Sequence, residues 1–303
     1  MDLTELVAVP AATFLMGSDR HYAEEGPAHV RTVEGFAVER HPVTAAQFAA
    51  FVAATGHVTV AEREIDPADF PGADPAELVP GSLVFTPTTG PVDLRDWRHW
   101  WRWRPGASWR HPAGRGSDAL DRPDHPVVHV AYADAAAYAA WAGRRLPTEA
   151  EWELAARGGL DGAEYAWGDE RTPDGRVMAN TWQGAFPHRN DGWGGTSPVG
   201  SFPPNGYGLV DMIGNVWEWT SDAYAPRHAV PGSAAPSRGA RTDLLASSPE
   251  PTTSPRVSRV TKGGSHLCAP EYCRRYRPAA RSSQTDDSAT SHLGFRCVVG
   301  VAR

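Results

Sequence analysis

The stretch that decides the fold reads GRRLPTEAEWE at residues 143–153. Thr148 is followed three residues later by Glu151, so the Thr148 side chain can accept the Glu151 amide while the Glu151 carboxylate reaches back. A pair of glycines at residues 158–159 supplies a stop signal. The pattern predicts a helix that begins after Thr148 and buries Trp152 on its apolar face.

Two further helices are predicted on the N-terminal side of this stretch. Thr44 is an N-cap candidate for a helix that presents Phe48, Phe51 and Val52 on one face and ends at Gly56. Asp134 is the N-cap candidate for a helix through Tyr138 and Trp141 that ends at Gly143.

Strand signals are shorter and more scattered than helix signals. Residues 6–17 predict a strand and a turn, residues 127–130 a short strand, and residues 293–299 a closing strand. Residues 61–125 carry many prolines and glycines and give no clear assignment. Residues 231–256, rich in Pro, Ser and Ala, predict a mobile loop.

Composition favours an irregular globular fold. The 303 residues are 41% hydrophobic and 21% charged, which suits a packed core rather than disorder. Thirty glycines and 27 prolines predict many turns, and 12 tryptophans provide large side chains for an irregular core.

Charge and cysteine content limit the functional classes. A net charge of −7 argues against broad nucleic-acid binding, which needs a basic surface. No run approaches the roughly 18 apolar residues that a membrane helix needs. The start, Met1 to Glu5, has neither the basic nor the apolar region of a signal peptide. Three cysteines do not make a disulfide scaffold, so we expect a cytoplasmic protein with reduced thiols.

The segment with the most chemistry reads GGSHLCAPEYC at residues 263–273. Cys268 and Cys273 are five positions apart. A regular strand would place them on opposite faces, and a helix would place them roughly 140° apart. An irregular backbone can bring the sulfurs together, and Pro270 favours one.

Three interpretations of the cysteine pair follow from the residues alone. The two thiols can form a redox pair, hold a soft metal such as Cu(I) or zinc, or be unrelated packing residues. His266 is a further zinc ligand candidate, but no second Cys/His pair at metal spacing is visible in the sequence, which disfavours a structural zinc site.

The segment and its continuation to residue 282 resemble the active-site stretch of formylglycine-generating enzymes, of the actinobacterial type, in the sulfatase-modifying-factor family. The likeness extends to HPVVH at 125–129, the 143–153 stretch, GNVWEW at 214–219, QTDDS at 284–288 and GFRC at 294–297. It implies an α+β fold with little regular secondary structure, a single irregular domain related to C-type lectins that spans residues 1–303.

The resemblance also implies an activity. These enzymes use O₂ to convert a cysteine in a Cys-x-Pro-x-Arg motif of sulfatases to formylglycine. Cys268 and Cys273 would hold Cu(I) as two thiolates, and the substrate cysteine would be the third sulfur ligand. Loss of a substrate Cβ hydrogen would give a thioaldehyde that water hydrolyses. Ser265 would lie beside the copper, Trp217 would line the oxygen pocket, and Cys297 would be a core residue.

This chain departs from the family pattern at a few positions. Ala269 stands where many relatives have His, and Asp286 stands where Pro is common. Neither change removes a sulfur. The partner implied is an unfolded or nascent sulfatase, and we expect a monomer.

Two structural calcium sites are also implied by the resemblance, since hard cations prefer carboxylate, amide and carbonyl oxygens. The first set is Asn180, Thr181, Asp191 and Trp193; the second is Asp211, Gly214, Val216 and Glu218. Asp211 replaces an Asn of relatives, which keeps an oxygen ligand. Taken without the resemblance, these residues are better explained as turn caps in loops.

Two other functions fit parts of the pattern. A sulfoxide synthase on the same fold would use non-haem iron and histidines from an added helical domain, and no such region is visible in the sequence. A lectin-like binding module would keep GNVWEW but lack the cysteine pair. The Trp- and Arg-rich residues 97–109 would suit single-stranded nucleic acid, but the acidic net charge disfavours that role. By family position, the resemblance implies that they line the peptide groove near the copper, and core packing is the alternative.

Overall fold

The computed structural model describes residues 3–69, 71–229 and 257–300. The loop predicted at 231–256 lies outside the described residues. Within them, three α-helices are α1 (Ala45–Thr55), α2 (Tyr132–Trp141) and α3 (Glu149–Arg157). The strands are β1 (Leu6–Val9), β2 (Ala12–Met16), β3 (His29–Val33), β4 (Phe36–Glu39), β5 (Gly81–Phe85), β6 (Trp101–Pro105), β7 (Trp217–Ala223), β8 (Ser258–Lys262), β9 (Arg281–Thr285), β10 (Leu293–Gly294) and β11 (Val298–Gly300). Mixed helix and strand with few helices confirms the predicted fold class.

The strands form small sheets with long connections between them. In one sheet β4 is the central strand, antiparallel to both β1 and β11. A second sheet has the order β10-β7-β8-β9, with β10 parallel to β7 and the other pairs antiparallel. Two hairpin-like pairs, β2-β3 and β5-β6, complete the described strands. The second sheet and the β5-β6 pair together frame the site described below.

The helices α1 and α3 begin where their caps predict. Thr44 Oγ1 accepts the Gln47 amide at 3.3 Å, and Gly56 at the other end of α1 has φ 70°. Thr148 Oγ1 accepts the Glu151 amide at 3.2 Å, and Glu151 Oε2 accepts the Thr148 amide at 2.8 Å. Both reciprocal caps satisfy backbone donors that have no partner inside the helix.

The predicted start of α2 is wrong. The helix begins at Tyr132, so Asp134 occupies its third position, where its carboxylate accepts the amides of Ala131 at 2.9 Å and Val60 at 3.2 Å. The predicted end holds: Trp141 is the last helical residue, and Gly143 has φ 68° and donates its amide to Ala140 O at 3.1 Å, as the left-handed residue that ends a helix does. A carboxylate at the third helical position reaches back to the N-cap amide as readily as one at the N-cap reaches forward.

Two strand predictions also need correction. Residues 127–130 form no strand, because His129 has φ 59° and its buried ring bonds Ser82 Oγ and the Pro112 carbonyl instead. Residues 293–299 form two separate strands, β10 and β11, which belong to different sheets. The strand predicted within residues 6–17 is present as β1 and β2, which are separated by the two-residue connection 10–11 and belong to different sheets.

The core combines aromatic clusters with buried ion pairs. One cluster of buried side chains joins α1 and α2 to both cysteines of the pair, and another packs α3 against β2 and β4. Lys262, fully buried, lies 3.0 Å from Glu153 and 3.6 Å from Glu149 of α3. This pairing fixes the end of β8 just before the Gly-Gly-Ser segment. Among the described residues, no helix is long and apolar enough to cross a membrane.

Candidate active site

The two cysteines meet because the chain makes two consecutive turns after β8. Ser265 O accepts the Cys268 amide at 3.0 Å, and Ala269 O accepts the Cys273 amide at 2.7 Å. The second bond is a single helical turn that carries Cys273 back over Cys268. Their Sγ atoms are 3.3 Å apart, and both side chains are buried as free thiols. An irregular backbone thus brings the two sulfur atoms together, which neither a regular strand nor a regular helix would do.

Gly264 allows this fold-back. It has φ 72°, and a Cβ added there would lie 2.9 Å from the Arg275 carbonyl oxygen and 3.0 Å from the Tyr276 Cα. The chain therefore crosses its own later segment at a distance that only glycine permits. This crossing places Ser265 next to the thiols, where its amide donates to Cys268 Sγ at 3.4 Å.

The two thiols differ in acidity because they share a proton. The Cys268 thiol donates to the Cys273 sulfur, and the Arg275 guanidinium adds positive charge, so the pKa of Cys273 is lowered. The pKa of Cys268 is raised, since it retains the shared proton in a buried position. The lowered pKa favours a thiolate at Cys273 over one at Cys268, and thiolates are the ligands that a soft cation prefers.

Arg275 is held by residues that the sequence analysis did not identify. Its Nη2 and Nε donate to Glu24 Oε1 at 2.5 and 3.2 Å, and its guanidinium carbon lies 3.9 Å from the centre of the Tyr22 ring. Tyr22 Oη also accepts the Arg274 amide at 3.0 Å. Glu24 lies about 250 residues before Arg275, and the sequence contains no signal for that pairing.

The thiols lie against a cavity of about 60 Å³. Ser265 and Trp217, both singled out from the sequence, line it together with the two cysteines. The remaining lining residues are Leu83, Trp100, Trp101, Phe186, Leu267, Tyr272, Arg275, Ser282, Gln284, Thr290 and His292. Aromatic side chains form most of one wall, and polar groups from β9 and the segment before β10 form the other.

The aromatic wall is rigid. The Tyr272 and Phe186 rings stack with centroids 4.6 Å apart and an interplanar angle of 5°. Trp100 meets Tyr272 edge-on at 5.3 Å. Of the tryptophans in residues 97–109, Trp100 and Trp101 line the cavity, whereas Trp109 is buried in a different cluster with α1 and α2. The predicted core role therefore describes Trp109, and a peptide wall formed by Trp100 and Trp101 stays a prediction.

His292 is a second residue that the sequence analysis missed. Its Nδ1 lies 2.7 Å from Thr290 Oγ1, and its ring lies 4.8 Å from that of Trp101. Burial, with added repulsion from two nearby histidines, lowers the pKa of His292 to about 3. The imidazole is neutral at physiological pH and provides a polar group without charge on the cavity wall.

The donor set suits a soft metal ion. Two buried sulfur atoms at contact distance match the preference of Cu(I) for thiolates. Across residues 3–69, 71–229 and 257–300, no group of three or more His, Cys, Asp or Glu side chains is arranged to hold a metal. A metal at the thiol pair would thus have two sulfur ligands from the described part of the chain. Cys297 lies in the core and donates its amide to Glu39 Oε2 at 2.7 Å.

The first predicted calcium set occupies one loop. Asn180 is buried and donates its amide group to Gly195 O and Ser197 Oγ, whereas Asp191 and Trp193 are exposed. Thr181 O already accepts from Gln183 Nε2 at 3.2 Å. These oxygens are of the type that calcium prefers, and the site stays a prediction.

The second predicted calcium set lies beside a buried arginine. Arg296 donates to both carboxylate oxygens of Glu218, at 2.7 and 2.8 Å, and to the Asp211 carbonyl at 3.1 Å. Asp211 Oδ2 accepts the Gly200 amide at 2.6 Å. A calcium ion coordinated by Glu218 would have to displace at least one Arg296 hydrogen bond, so Glu218 fits the site less well than Asp211.

The fold and the site together define an irregular α+β protein with a reduced dithiol beside an aromatic-lined cavity. A family model described as "Sulfatase-modifying factor enzyme 1-like domain" matches residues 1–301. The chain is 64% identical over 300 residues to a formylglycine-generating enzyme of Mycobacterium tuberculosis, with 98% of each chain covered.

Similarity extends to more distant relatives. A formylglycine-generating enzyme of Thermomonospora curvata is 48% identical, with 96% of this chain and 92% of the relative covered. The solved structure of PvdO from Pseudomonas aeruginosa superposes with a TM-score of 0.62 at 27% identity, covering 98% of this chain and 95% of that one. The chain belongs to the formylglycine-generating enzyme family, as the sequence resemblance predicted.

Proposed function

We propose that this protein is an oxidoreductase that converts the cysteine of a Cys-x-Pro-x-Arg motif in a sulfatase to formylglycine, dependent on Cu(I) and O₂. The observation that carries the proposal is the pair of buried thiols, Cys268 and Cys273, 3.3 Å apart beside a cavity. Membership of the family supplies the substrate class, and the thiol pair is the part of the chain that can perform sulfur chemistry.

The two cysteines would hold Cu(I) as thiolates, and bound copper would supply the redox-active centre at which O₂ is reduced. Arg275 offsets the negative charge that accumulates when the thiol pair loses its protons. Ser265 donates its amide to Cys268, which fixes that sulfur, and its side chain lies on the cavity wall. Trp217 lies on the cavity wall, where it would line the oxygen pocket.

The cavity also suits an extended peptide. A volume of about 60 Å³ accommodates one small side chain such as that of cysteine, while the rest of the polypeptide must lie along the surface. The neutral His292 and the amide of Gln284 present hydrogen-bonding groups to a peptide backbone without adding charge. An unfolded or nascent sulfatase presents such a segment, whereas a folded one buries it.

Further parts of the proposal concern the setting of the reaction. Structural Ca²⁺ would bind the Asn180 and Asp211 loops, the latter through Asp211 and backbone carbonyls. The protein would act as a monomer in the cytoplasm, where thiols stay reduced. Neither a nucleic acid nor a membrane is a proposed partner.

The test uses purified protein with Cu(I), O₂ and a peptide that contains Cys-x-Pro-x-Arg. We expect mass spectrometry to show an aldehyde in place of the thiol for the wild type. Cys268→Ser and Cys273→Ser should each abolish it, and Cys297→Ala is the matched control because its sulfur is buried in the core away from the cavity. Full activity of either serine variant would refute the mechanism.

The metal is tested separately from the activity. Competition with a Cu(I)-selective chelator should show binding that requires both thiols. Copper retained after loss of both cysteines would refute the metal assignment, and aldehyde formation by rigorously copper-free protein would favour a redox disulfide in its place.

A further inference from the structure

The surface just outside the cavity carries an exposed tryptophan whose position is set by strand register. Leu83 of β5 and Trp101 of β6 line the cavity. Leu83 lies directly opposite Trp103 in the antiparallel pair. Directly opposed residues, and residues two apart on one strand, point to the same face of a sheet. Trp103 therefore extends the cavity wall outward, beyond the mouth.

Trp103 is both exposed and fixed. Its side chain is 47% exposed, whereas Trp100, Trp101 and Trp109 are buried. Its Nε1 donates to the Val79 carbonyl at 3.2 Å, which anchors the indole by its polar edge and leaves apolar ring surface in solvent. A rigid aromatic surface binds an apolar group with little loss of conformational entropy.

We propose that Leu83 and Trp103 form an outer platform that holds an apolar side chain of the substrate polypeptide, outside the Cys-x-Pro-x-Arg motif. This inference rests on the proposed function, since the polypeptide must place its cysteine at the thiols. Residues two apart on a strand are separated by roughly 7 Å, which is two residues of an extended peptide. The platform therefore contacts a side chain two positions beyond the one that lies against Trp101.

The surroundings favour a polypeptide over other occupants. The platform is continuous with the cavity, so its occupant is the molecule that enters the cavity. Two nearby arginines already pair with carboxylates, Arg95 with Asp93 at 2.7 Å and Arg98 with Asp96 at 2.8 Å. Single-stranded nucleic acid uses several successive stacking surfaces and a basic groove, whereas Trp100 and Trp101 are buried, Trp103 is a single exposed ring and the chain has a net charge of −7.

The experiment measures binding without turnover. Fluorescence anisotropy is recorded for labelled peptides in which Ser replaces the target Cys, so that neither copper nor catalysis is needed. One set contains only the five-residue motif, and a second set carries Phe or Ser at each successive position on either side of it. The proteins compared are the wild type, Trp103→Ser, and Arg104→Ser as the matched control, since Arg104 is on the opposite face of the same strand.

We expect one flanking position at which Phe tightens binding to the wild type by about tenfold, equivalent to ~1.4 kcal/mol. Trp103→Ser should lose that preference and bind the five-residue motif unchanged, and Arg104→Ser should behave as the wild type. Circular dichroism melting curves confirm that each variant is folded. Trp103→Phe should restore part of the preference, because it returns an apolar ring to the platform.

Three outcomes would overturn the inference. Equal affinity of the wild type for all flanks, with aldehyde still formed from the cysteine peptides, refutes the platform while the proposed function stands. Equal loss of all peptides in Trp103→Ser indicates a structural role only. Dissociation of a dimer by Trp103→Ser, with unchanged peptide affinity, assigns the surface to a second copy of the chain. Failure of the wild type to convert any motif peptide refutes the proposed function itself.

Discussion

Replacing Gly264 by alanine tests the chain crossing that assembles the thiol pair. Two penalties add in this variant. A side chain at φ 72° costs about 1–2 kcal/mol from its own backbone. The new Cβ would also lie 2.9 Å from the Arg275 carbonyl oxygen, and forcing buried groups apart costs about 1–3 kcal/mol more. Together they predict a loss of about 2–5 kcal/mol in the free energy of unfolding.

Gly56→Ala is the matched control. Gly56 has φ 70°, nearly the same as Gly264, but a Cβ there would meet nothing within 4 Å. Urea unfolding followed by tryptophan fluorescence should therefore show only the backbone penalty of about 1–2 kcal/mol for this variant. The difference between the two variants measures the crowding at the crossing. Values that agree within about 0.5 kcal/mol would show that the crossing is not tight, and the account of how the sulfurs meet would fail.

Further predictions address the helix cap, a buried carboxyl and the shared proton. Thr148→Ala should lower the free energy of unfolding by about 1 kcal/mol in urea titrations, while Thr148→Ser retains most of it. Burial raises the pKa of Asp211 to about 6 in the folded protein. As pH rises, the unfolded chain loses this proton at a lower pH than the folded protein does, so the free energy of unfolding falls between about pH 4 and 6. Asp211→Asn should remove that slope. In the absence of calcium it should also raise the free energy of unfolding by about 1–3 kcal/mol near pH 7. An unchanged slope in urea titrations across that range would contradict this. Cys268→Ala should raise the pKa of Cys273, because the hydrogen-bond donor to its thiolate is lost. Ultraviolet absorbance of the thiolate, recorded against pH, measures this pKa. A pKa lower than in the wild type would argue against a shared proton.

Features with local causes could be predicted from the sequence. The caps of α1 and α3 are complete within four residues, so Thr44 and Thr148 mark their helices correctly. Asp134 misled the prediction because an aspartate can cap a helix either from the N-cap or from the third helical position, three residues later. Only its bond to the amide of Ala131 shows which position it occupies. His129 misled it because a run of β-branched residues does not reveal a left-handed residue inside it.

The residues of the site also divide into those that a local sequence pattern identifies and those that only the tertiary structure brings together. Cys268, Cys273 and Ser265 belong to one short segment, and the family pattern identifies them together. Glu24 reaches Arg275, and His292 reaches the cavity, from other parts of the chain, through contacts that depend on the whole topology. Their residue types are common on protein surfaces, so nothing in the sequence distinguishes them from solvated side chains.

The central position of β4 has a consequence for the stage of synthesis at which its sheet can be completed. β4 pairs with β1 on one side and with β11, at residues 298–300, on the other. Glu24 and Glu25 likewise pair with Arg275 and Arg277 across some 250 residues. During synthesis, β4 has an unpaired edge until residues 298–300 of β11 have left the ribosome. A chain shortened before β11 would therefore leave β4 with an unpaired edge, of the kind that invites pairing with another chain.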